Sequence, residues 1–321
     1  MDKILLKEIT NLTFLENIES AKKVLDIYSN YLFEVINQGN SYLKSGNDAD
    51  AIILNQMMFS KVLNIKNMIE GFTFETETKK IPPLIDPTLV ATLIRNVYET
   101  VGAFNLLFIQ PKKEDEKVIL YNLWVVAGLS FRQEFEVGSD ENQQKKNREK
   151  AEIIISLDKI RTTELYKSLS KAQKDKIENC ILYRDFKITF TDKEVNKVGW
   201  KDLNSVIGIT LVSHVNLYNL LSQSSHPTNV SVFQFRAMYS KITENWAQMT
   251  LGHIKFCSGL FSIFIADYIK AFPDTKSVFE KMSLLDQIII NFNNENYRGK
   301  AYKINDVSIN SAVESGLIIF E

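Results

Sequence analysis

The chain has 321 residues, of which 45% are apolar and 24% are charged, and its 38 Lys and Arg residues are balanced by 39 Asp and Glu residues. A composition this close to the globular average excludes a disordered chain. The near-zero net charge argues against a nucleic-acid binder held by bulk charge, although a local basic face stays open. With 6 prolines and 12 glycines, the chain has few residues that interrupt helices, so a mainly helical fold is expected.

The cysteines and the apolar runs indicate where the protein works. Cys180 and Cys257 lie in separate segments without a C-x-x-C pair. This arrangement predicts two buried thiols in a reducing cytoplasm, with no metal site and no other cofactor. The charges close to Met1 argue against a secretory signal, and the longest apolar run, Val118 to Phe131, is too short to cross a bilayer. We therefore expect a cytoplasmic protein without a membrane partner.

Helix starts and stops recur along the chain. Thr13–Glu16 and Thr191–Glu194 are capping-box patterns, in which a hydroxyl and a carboxylate satisfy backbone N–H groups reciprocally. Asp86–Thr88 places proline in a first helical turn, whereas Gly39 and Pro273 mark helix ends. The predicted helices are Thr13–Gln38, Asp48–Ile69, Leu89–Ile109, Glu116–Phe135, Ala151–Leu169 after a solvated start at Asp140–Lys150, Leu203–Leu221, Leu251–Ala271 and Asp274–Phe292.

One short segment, Phe186–Phe190, alternates apolar and polar residues as a strand does, with Tyr302–Asn305 or Leu317–Phe320 as its expected partner. Pro82-Pro83 reads as a loop. The predicted fold class is therefore mainly α, a large multi-helix bundle with at most a small two- or three-stranded β element. Because no repeat and no flexible linker is present, we expect a single compact helical domain over 1–321, with halves 1–138 and 139–321 as the alternative.

The second half of the chain holds a histidine at a helix stop. The pattern ending at Leu221 gives way to Ser222-Gln-Ser-Ser-His226-Pro227-Thr228, so His226 follows a helix end among several hydroxyl groups. A histidine there feels the negative end of the helix dipole, although an ordinary C-cap has the same geometry. Within the predicted helix, His214, Tyr218 and Ser222 are spaced to share one stripe, which either packs against a neighbour or lines a binding site.

Two arginines are further candidates. Arg95 and Glu99 lie one helical turn apart, which suits either a solvated ion pair or the polar wall of a cleft shared with His226. Arg132 ends a buried helix, so its guanidinium either stays at the surface or is drawn inside towards an acceptor. His253 and Cys257 have a spacing that two metal ligands would use, but the apolar sequence around them favours a core helix.

The sequence lacks the common catalytic signatures, namely the phosphate-binding glycine loops, the G-x-S-x-G elbow and the H-E-x-x-H helix. These absences exclude the commonest NTPase, dehydrogenase, hydrolase and zinc-protease folds.

Two segments carry a resemblance, Leu93-Ile-Arg95-Asn-Val-Tyr-Glu99 and Tyr218-Asn-Leu-Leu-Ser222-Gln-Ser-Ser-His226-Pro227. They resemble a pattern in uncharacterised bacterial helical proteins, which are similar in outline to HEPN domains. HEPN domains are helical bundles of toxin–antitoxin and phage-defence systems, and some are metal-independent RNases that use an arginine and a histidine. The HEPN nuclease motif has these two residues close together in sequence, whereas Arg95 and His226 can meet only through the fold.

Two hypotheses follow for function. The first is a helical binding or regulatory protein without catalysis, belonging to a defence or stress locus and holding a protein or RNA. The second is an RNase-type enzyme that cleaves phosphodiesters, in which the resemblance assigns proton transfer to His226 and charge stabilisation to Arg95. The absence of established catalytic motifs favours the first, so whether the chain is an enzyme stays open. A homo-oligomer is compatible with both. The second hypothesis requires Arg95, Glu99 and His226 to lie in a cleft, within a side chain's reach of one another.

Overall fold

The computed structural model describes residues 3–39, 46–192, 194–210, 216–239 and 242–307, and it confirms the mainly helical fold class. The α-helices are α1 (Lys3–Phe14), α2 (Ile18–Asn37), α3 (Asp48–Glu70), α4 (Pro87–Phe104), α5 (Glu114–Arg132), α6 (Asp140–Thr162), α7 (Glu164–Ser168), α8 (Lys171–Leu182), α9 (Leu203–Val206), α10 (Leu217–Ser225), α11 (Asn229–Tyr239), α12 (Ile242–Ala271), α13 (Lys276–Lys281) and α14 (Leu284–Arg298). A π-helical turn, Asn105–Ile109, and the 3-10 turns Trp200–Asp202, Pro273–Thr275 and Lys300–Tyr302 connect some of them.

The strands form two antiparallel hairpins, one of β1 (Phe72–Glu75) with β2 (Lys80–Leu84) and one of β3 (Ile188–Thr191) with β4 (Glu194–Lys197). In the first hairpin Glu75 faces Lys80 across the pair, and in the second Ile188 faces Lys197.

The chain forms two compact units. Unit 1 consists of residues 1–102 and 207–321, and unit 2 consists of residues 103–206. Unit 2 is thus inserted into unit 1, and neither unit has the bounds 1–138 or 139–321 that the sequence suggested as halves. The insertion makes unit 1 discontinuous along the chain, so α1 and α2 pack against helices that come more than two hundred residues later.

The core of unit 1 is built where α2 packs against α3, α12 and α14. Tyr28 of α2 lies at its centre, fully buried, with its ring stacked on Phe261 at a centroid distance of 5.5 Å. The Tyr28 hydroxyl accepts hydrogen bonds from Ser262 Oγ and from Asn293 Nδ2, each at 3.0 Å. A buried phenol without partners would cost stability, so these bonds fix how α2, α12 and α14 meet.

Among the described helices, one segment, Trp246–Ala271 of α12, is long and apolar enough to span a membrane, and 67% of its most apolar window is buried inside the protein. That burial is what the central helix of a globular core shows. His253 and Cys257 on this helix are 4% and 0% exposed, which confirms that they belong to the core. No group of three metal-binding side chains occurs in the part of the chain that the structure describes.

Burial of His253 makes unit 1 sensitive to acid. The desolvated ring has a pKa lowered to about 4, and its Nδ1 has no hydrogen-bond partner among the described residues. The unfolded chain takes up this proton below its ordinary pKa of about 6.5, whereas the folded chain resists it. The stabilisation is therefore complete above pH 6.5 and is lost progressively as the pH falls through 4.

Between pH 7 and pH 5 this group should lower the free energy of unfolding by about 2 kcal/mol, at 1.36 kcal/mol for each pH unit below 6.5. Urea unfolding at several pH values measures the slope. The matched control is His253→Gln, which removes the titrating ring, so its stability should fall less over the same interval. Parallel curves for the two proteins would contradict the assignment.

A buried ion pair joins the end of α14 to α12. Arg298 Nη1 and Nη2 donate to the two carboxylate oxygens of Asp267, each at 2.8 Å, and the two side chains are 2% and 4% exposed. Arg298 Nε also donates to the carbonyl of Ile207 at 2.5 Å. Ile207 is the first residue of unit 1 after the insertion, so the pair fixes the chain where it re-enters this unit.

Unit 2 has its own core, formed by residues of α5, α6, α8 and the β3–β4 hairpin and by Leu169, which follows α7. The buried apolar side chains of this core are Ile119, Leu120, Leu123, Ile160, Leu169, Ile177, Cys180, Ile188 and Val195. The polar start of α6, Asp140–Lys150, is largely exposed, as its sequence predicted. The strand predicted at Phe186–Phe190 exists as β3, but its partner is β4 and not Tyr302–Asn305, while Leu317–Phe320 lies outside the described residues.

Both capping-box predictions were wrong. Thr13 belongs to α1, and α2 is capped instead by Asn17, whose side chain accepts from the Ser20 backbone N–H at 2.8 Å. Thr191 and Glu194 instead pair with each other as the end of β3 and the start of β4, and Asp192 has a positive φ of 52°. Both segments have the Thr and Glu spacing of a capping box, but packing with more distant residues gives them another structure.

Three further expectations differ from the structure. The predicted helix Leu203–Leu221 is interrupted, because α9 ends at Val206 and Gly208 adopts a φ of 83°, a conformation that ends helices. The predicted helix Asp274–Phe292 is two helices, since Ser283 caps the start of α14 by accepting from the Asp286 N–H. Pro82-Pro83 lies in β2, which has the single neighbour β1 in its sheet, an edge position that tolerates proline.

Candidate functional site

The first part of the site is α4, whose start is fixed locally. Asp86 Oδ1 accepts from the backbone N–H and the hydroxyl of Thr88 at 2.8 and 2.7 Å, and Pro87 occupies the first helical position. The buried side of the helix carries Val90, Ile94, Val97, Tyr98 and Val101. Arg95 and Glu99 lie at the border of this side, with side chains that are 23% and 25% exposed.

The second part is the end of α10 and the turn that follows. His226 is the C-cap residue, with extended backbone angles of φ −122° and ψ 142°. Pro227 cannot continue the helix because it has no N–H group. The carbonyl of His226 accepts from the Thr228 N–H at 2.7 Å and from Ser231 Oγ at 2.8 Å. The histidine that the sequence placed just past a helix end is therefore held by its own backbone, which leaves the ring free to point elsewhere.

The fold brings Arg95, Glu99, Tyr218 and His226 together in unit 1. Arg95 Nε donates to Glu99 Oε1 at 3.1 Å, and Nη2 donates to the Tyr218 hydroxyl at 2.8 Å. Nη1 lies 3.4 Å from His226 Nε2, across 131 positions of sequence. The guanidinium carbon also lies 4.9 Å from the centroid of the Tyr218 ring. Arg95 thus lies within hydrogen-bond reach of Glu99, Tyr218 and His226, and we refer to these four residues as the Arg95 cluster.

The hydrogen bonds of Arg95 indicate which kind of ligand the Arg95 cluster can bind. A guanidinium only donates, so the contact at 3.4 Å is a hydrogen bond only in the tautomer whose Nε2 carries no proton. Arg95 has five N–H donors, and its three partners among the described residues take one each. Two donors therefore remain for a ligand. An arginine that is oriented on both sides and still has donors to offer suits an oxyanion such as phosphate.

Tyr98, which was not among the residues predicted for the site, contacts the Arg95 cluster through the ring of Tyr218. It is fully buried, and its ring lies 5.8 Å from that of Tyr218 at an angle of 41°. A tilted aromatic pair of this kind restricts the Tyr218 ring and so the position of its hydroxyl. The signal that could have found it is its place in sequence, since Tyr98 directly precedes Glu99.

The remaining predicted binding residues lie elsewhere or have other partners. Ser222 Oγ donates to the Tyr218 carbonyl at 2.7 Å, so its hydroxyl serves the backbone of α10. Arg132 lies in unit 2, is 47% exposed and pairs with Glu149 at 2.7 Å, so its guanidinium is at the surface and is not drawn inside. His214 lies outside the described residues.

Comparison with protein-family models, with curated proteins and with solved structures finds no match to this chain. The resemblance to HEPN domains therefore rests on the residues of the two segments alone.

Proposed function

We propose that the Arg95 cluster is a phosphodiester site and that the protein is a metal-independent RNase. The observation that carries this proposal is the approach of Arg95 Nη1 to His226 Nε2 at 3.4 Å, between residues from distant parts of the sequence. An oriented arginine beside an imidazole provides the charge and the proton acceptor that cleavage of RNA needs. Glu99 holds the guanidinium through Nε, and the contacts with His226 and Tyr218 leave one N–H of each Nη group for the substrate.

The chemistry is an attack of the ribose 2′-oxygen on the neighbouring phosphorus. The O2′–P bond forms, the P–O5′ bond breaks, and the products end in a 2′,3′-cyclic phosphate and a 5′-hydroxyl. His226 Nε2 takes the proton from the 2′-hydroxyl after the substrate has replaced its long contact with Arg95, and solvent returns a proton to O5′. The two unused N–H groups of Arg95 stabilise the charge that develops on the phosphate oxygens.

A second candidate function is RNA binding without turnover. It is favoured by the pairing of Arg95 with Glu99, which reduces the positive charge at the site, and by the single imidazole within the cluster. In this role the spare donors of Arg95 and the hydroxyl proton of Tyr218 recognise a phosphate group, and no proton is transferred.

Cleavage of a single-stranded RNA by the purified chain in the presence of EDTA tests the proposal. We expect products with a cyclic phosphate end, and a rate about 100-fold lower in both Arg95→Ala and His226→Ala, as the loss of a charge stabiliser or of a general base predicts. Arg95→Lys should be similarly impaired, since an ammonium group cannot contact Glu99, Tyr218 and a phosphate at once.

The matched control is Gln223→Ala, at an exposed position of α10, the helix that ends at His226. It should cleave like the wild type, and far-UV circular dichroism should show that all variants are folded. Binding that depends on Arg95, without cleavage, would establish the second candidate. If the wild type neither binds nor cleaves RNA, the Arg95 cluster has only a structural role, which is to connect α4 with α10.

A further inference from the structure

Unit 2 carries exposed apolar side chains where α5 and α8 end. Phe131 and Phe135 are 54% and 56% exposed, and Leu182 and Tyr183 are 69% and 73% exposed. The two phenylalanine rings meet edge to face at 5.4 Å. An ion pair of 2.5 Å between Arg184 and Glu134 joins the two helix ends. We call Phe131, Phe135, Leu182 and Tyr183 the aromatic face.

Exposed apolar residues are common when they are scattered, but a contiguous group of them marks an interaction surface. The rings of the aromatic face are not needed to close the core of unit 2, which is formed by other residues. Tyr183 in particular follows the last residue of α8 and has most of its surface in solvent. The aromatic face can therefore contact a partner with flat rings, and these side chains lose little conformational entropy on binding.

The charges around the aromatic face indicate the kind of partner. Lys197 Nζ lies 5.9 Å from the Tyr183 ring centroid, and Lys146 Nζ donates to the Phe135 carbonyl at 2.9 Å. Neither lysine has a carboxylate partner among the described residues, whereas Arg184 is neutralised by Glu134. Ammonium groups beside exposed rings complement a partner that presents both negative charge and flat apolar surfaces.

We propose that the aromatic face binds single-stranded RNA, by stacking bases on Phe135 and Tyr183 and by contacting phosphates through Lys146 and Lys197. Aromatic platforms with a positively charged border are how proteins hold single strands without reading their sequence. The proposal takes only its choice of ligand from the proposed function. It assigns to unit 2 a binding role that does not involve the Arg95 cluster.

The test is a binding titration with the full chain and a labelled single strand of about 12 nucleotides, the length of a typical single-strand site. Its 2′-hydroxyls are methylated, so it binds but cannot be cleaved by attack of the 2′-oxygen. Tyr183→Ala and Phe135→Ala should each weaken binding about 10-fold, as the loss of one stacked base predicts. Tyr183→Phe should bind like the wild type. The control is Ile154→Ala, which removes an apolar side chain of unit 2 that is 63% exposed.

The salt dependence supplies a second readout. Lys146→Gln and Lys197→Gln should each reduce the slope of log K against log salt concentration by about 0.7, because each removes one phosphate contact to a single strand. Lys159→Gln, at an exposed position on α6, should leave the slope unchanged. Glu136→Gln, which removes a negative charge one residue beyond Phe135, should strengthen binding.

Affinities that are equal in the wild type, Tyr183→Ala and Phe135→Ala would overturn the proposal. So would equal affinity for a duplex of the same length, whose bases are already stacked. A wild type that fails to bind but self-associates, with dimers lost in Tyr183→Ala, would assign the face to a second copy of the chain. Arg95→Ala should bind the methylated strand normally, so a failure of the cleavage proposal leaves this one standing.

Discussion

Replacing Asp267 with asparagine is expected to lower the free energy of unfolding of unit 1 by about 3–5 kcal/mol, the loss found when one member of a buried ion pair is removed. The variant leaves the Arg298 guanidinium, 2% exposed, without a compensating charge. Its bond to the Ile207 carbonyl remains, but a neutral carbonyl does not replace a carboxylate that accepts at 2.8 Å on both oxygens. Arg298→Met, which removes the two guanidinium donors from the buried Asp267 carboxylate, should also destabilise unit 1 by several kcal/mol.

The double variant Asp267→Asn with Arg298→Met measures the coupling between the two side chains, because it combines the two single substitutions. Since both charges are absent, it should recover most of the stability lost in either single variant. Urea unfolding followed by tryptophan fluorescence measures this, with Trp124 and Trp200 replaced by phenylalanine so that Trp246 reports on unit 1 alone. Losses in the two single variants that simply add in the double variant would show that the pair contributes no coupling.

Gly259→Ala is expected to destabilise unit 1 by about 3 kcal/mol, the upper range for an overpacked core. A Cβ at this position of α12 would lie 2.4 Å from two atoms of the Tyr297 ring. The ring cannot easily withdraw, because Tyr297 is 3% exposed and its hydroxyl donates to the Lys255 carbonyl at 3.0 Å. Glycine at position 259 is therefore what allows α12 and α14 to approach closely.

Gly252→Ala is the matched control on the same helix, since nothing lies within 4 Å of the added Cβ. It should stabilise the protein by up to about 1 kcal/mol, because alanine has the higher helix propensity. Thermal unfolding of the two variants beside the wild type compares them directly. Equal effects at positions 252 and 259 would show that the packing against Tyr297 is not what selects glycine.

The parts of the fold that depend on local signals could be predicted from the sequence. Asp48 and Pro87 begin helices, α2 ends just before Gly39, and Pro273 separates α12 from α13, because capping and backbone restriction act over a few residues. The hairpins were harder. β4 pairs with β3 through a turn that carries a helix-cap pattern, so tertiary packing of Ile188 and Val195 in the unit 2 core decided its structure.

The candidate site was predicted in its residues but not in its contacts. A helix stop placed His226, and helical spacing paired Arg95 with Glu99, yet the meeting of the two elements depends on the packing of α4 and α10. The hydrogen bond from Arg95 to the Tyr218 hydroxyl, and the support of that ring by Tyr98, likewise arise from contacts between distant segments. No local pattern contains such information. The catalytic role of these residues remains a prediction that the cleavage assay decides.

Because unit 1 consists of two separate stretches of the chain, its parts leave the ribosome at different times. Its first 102 residues emerge before the whole of unit 2, and α12 and α14, which pack against α2 beside α3, come only after residue 242. Unit 2 is continuous, so it can fold while α1 to α4 still wait for their partners. During that interval the part of α2 that α12 and α14 later cover is exposed to chaperones or to other nascent chains. A helper protein that binds the N-terminal segment would therefore raise the yield of soluble protein more than one that acts on unit 2.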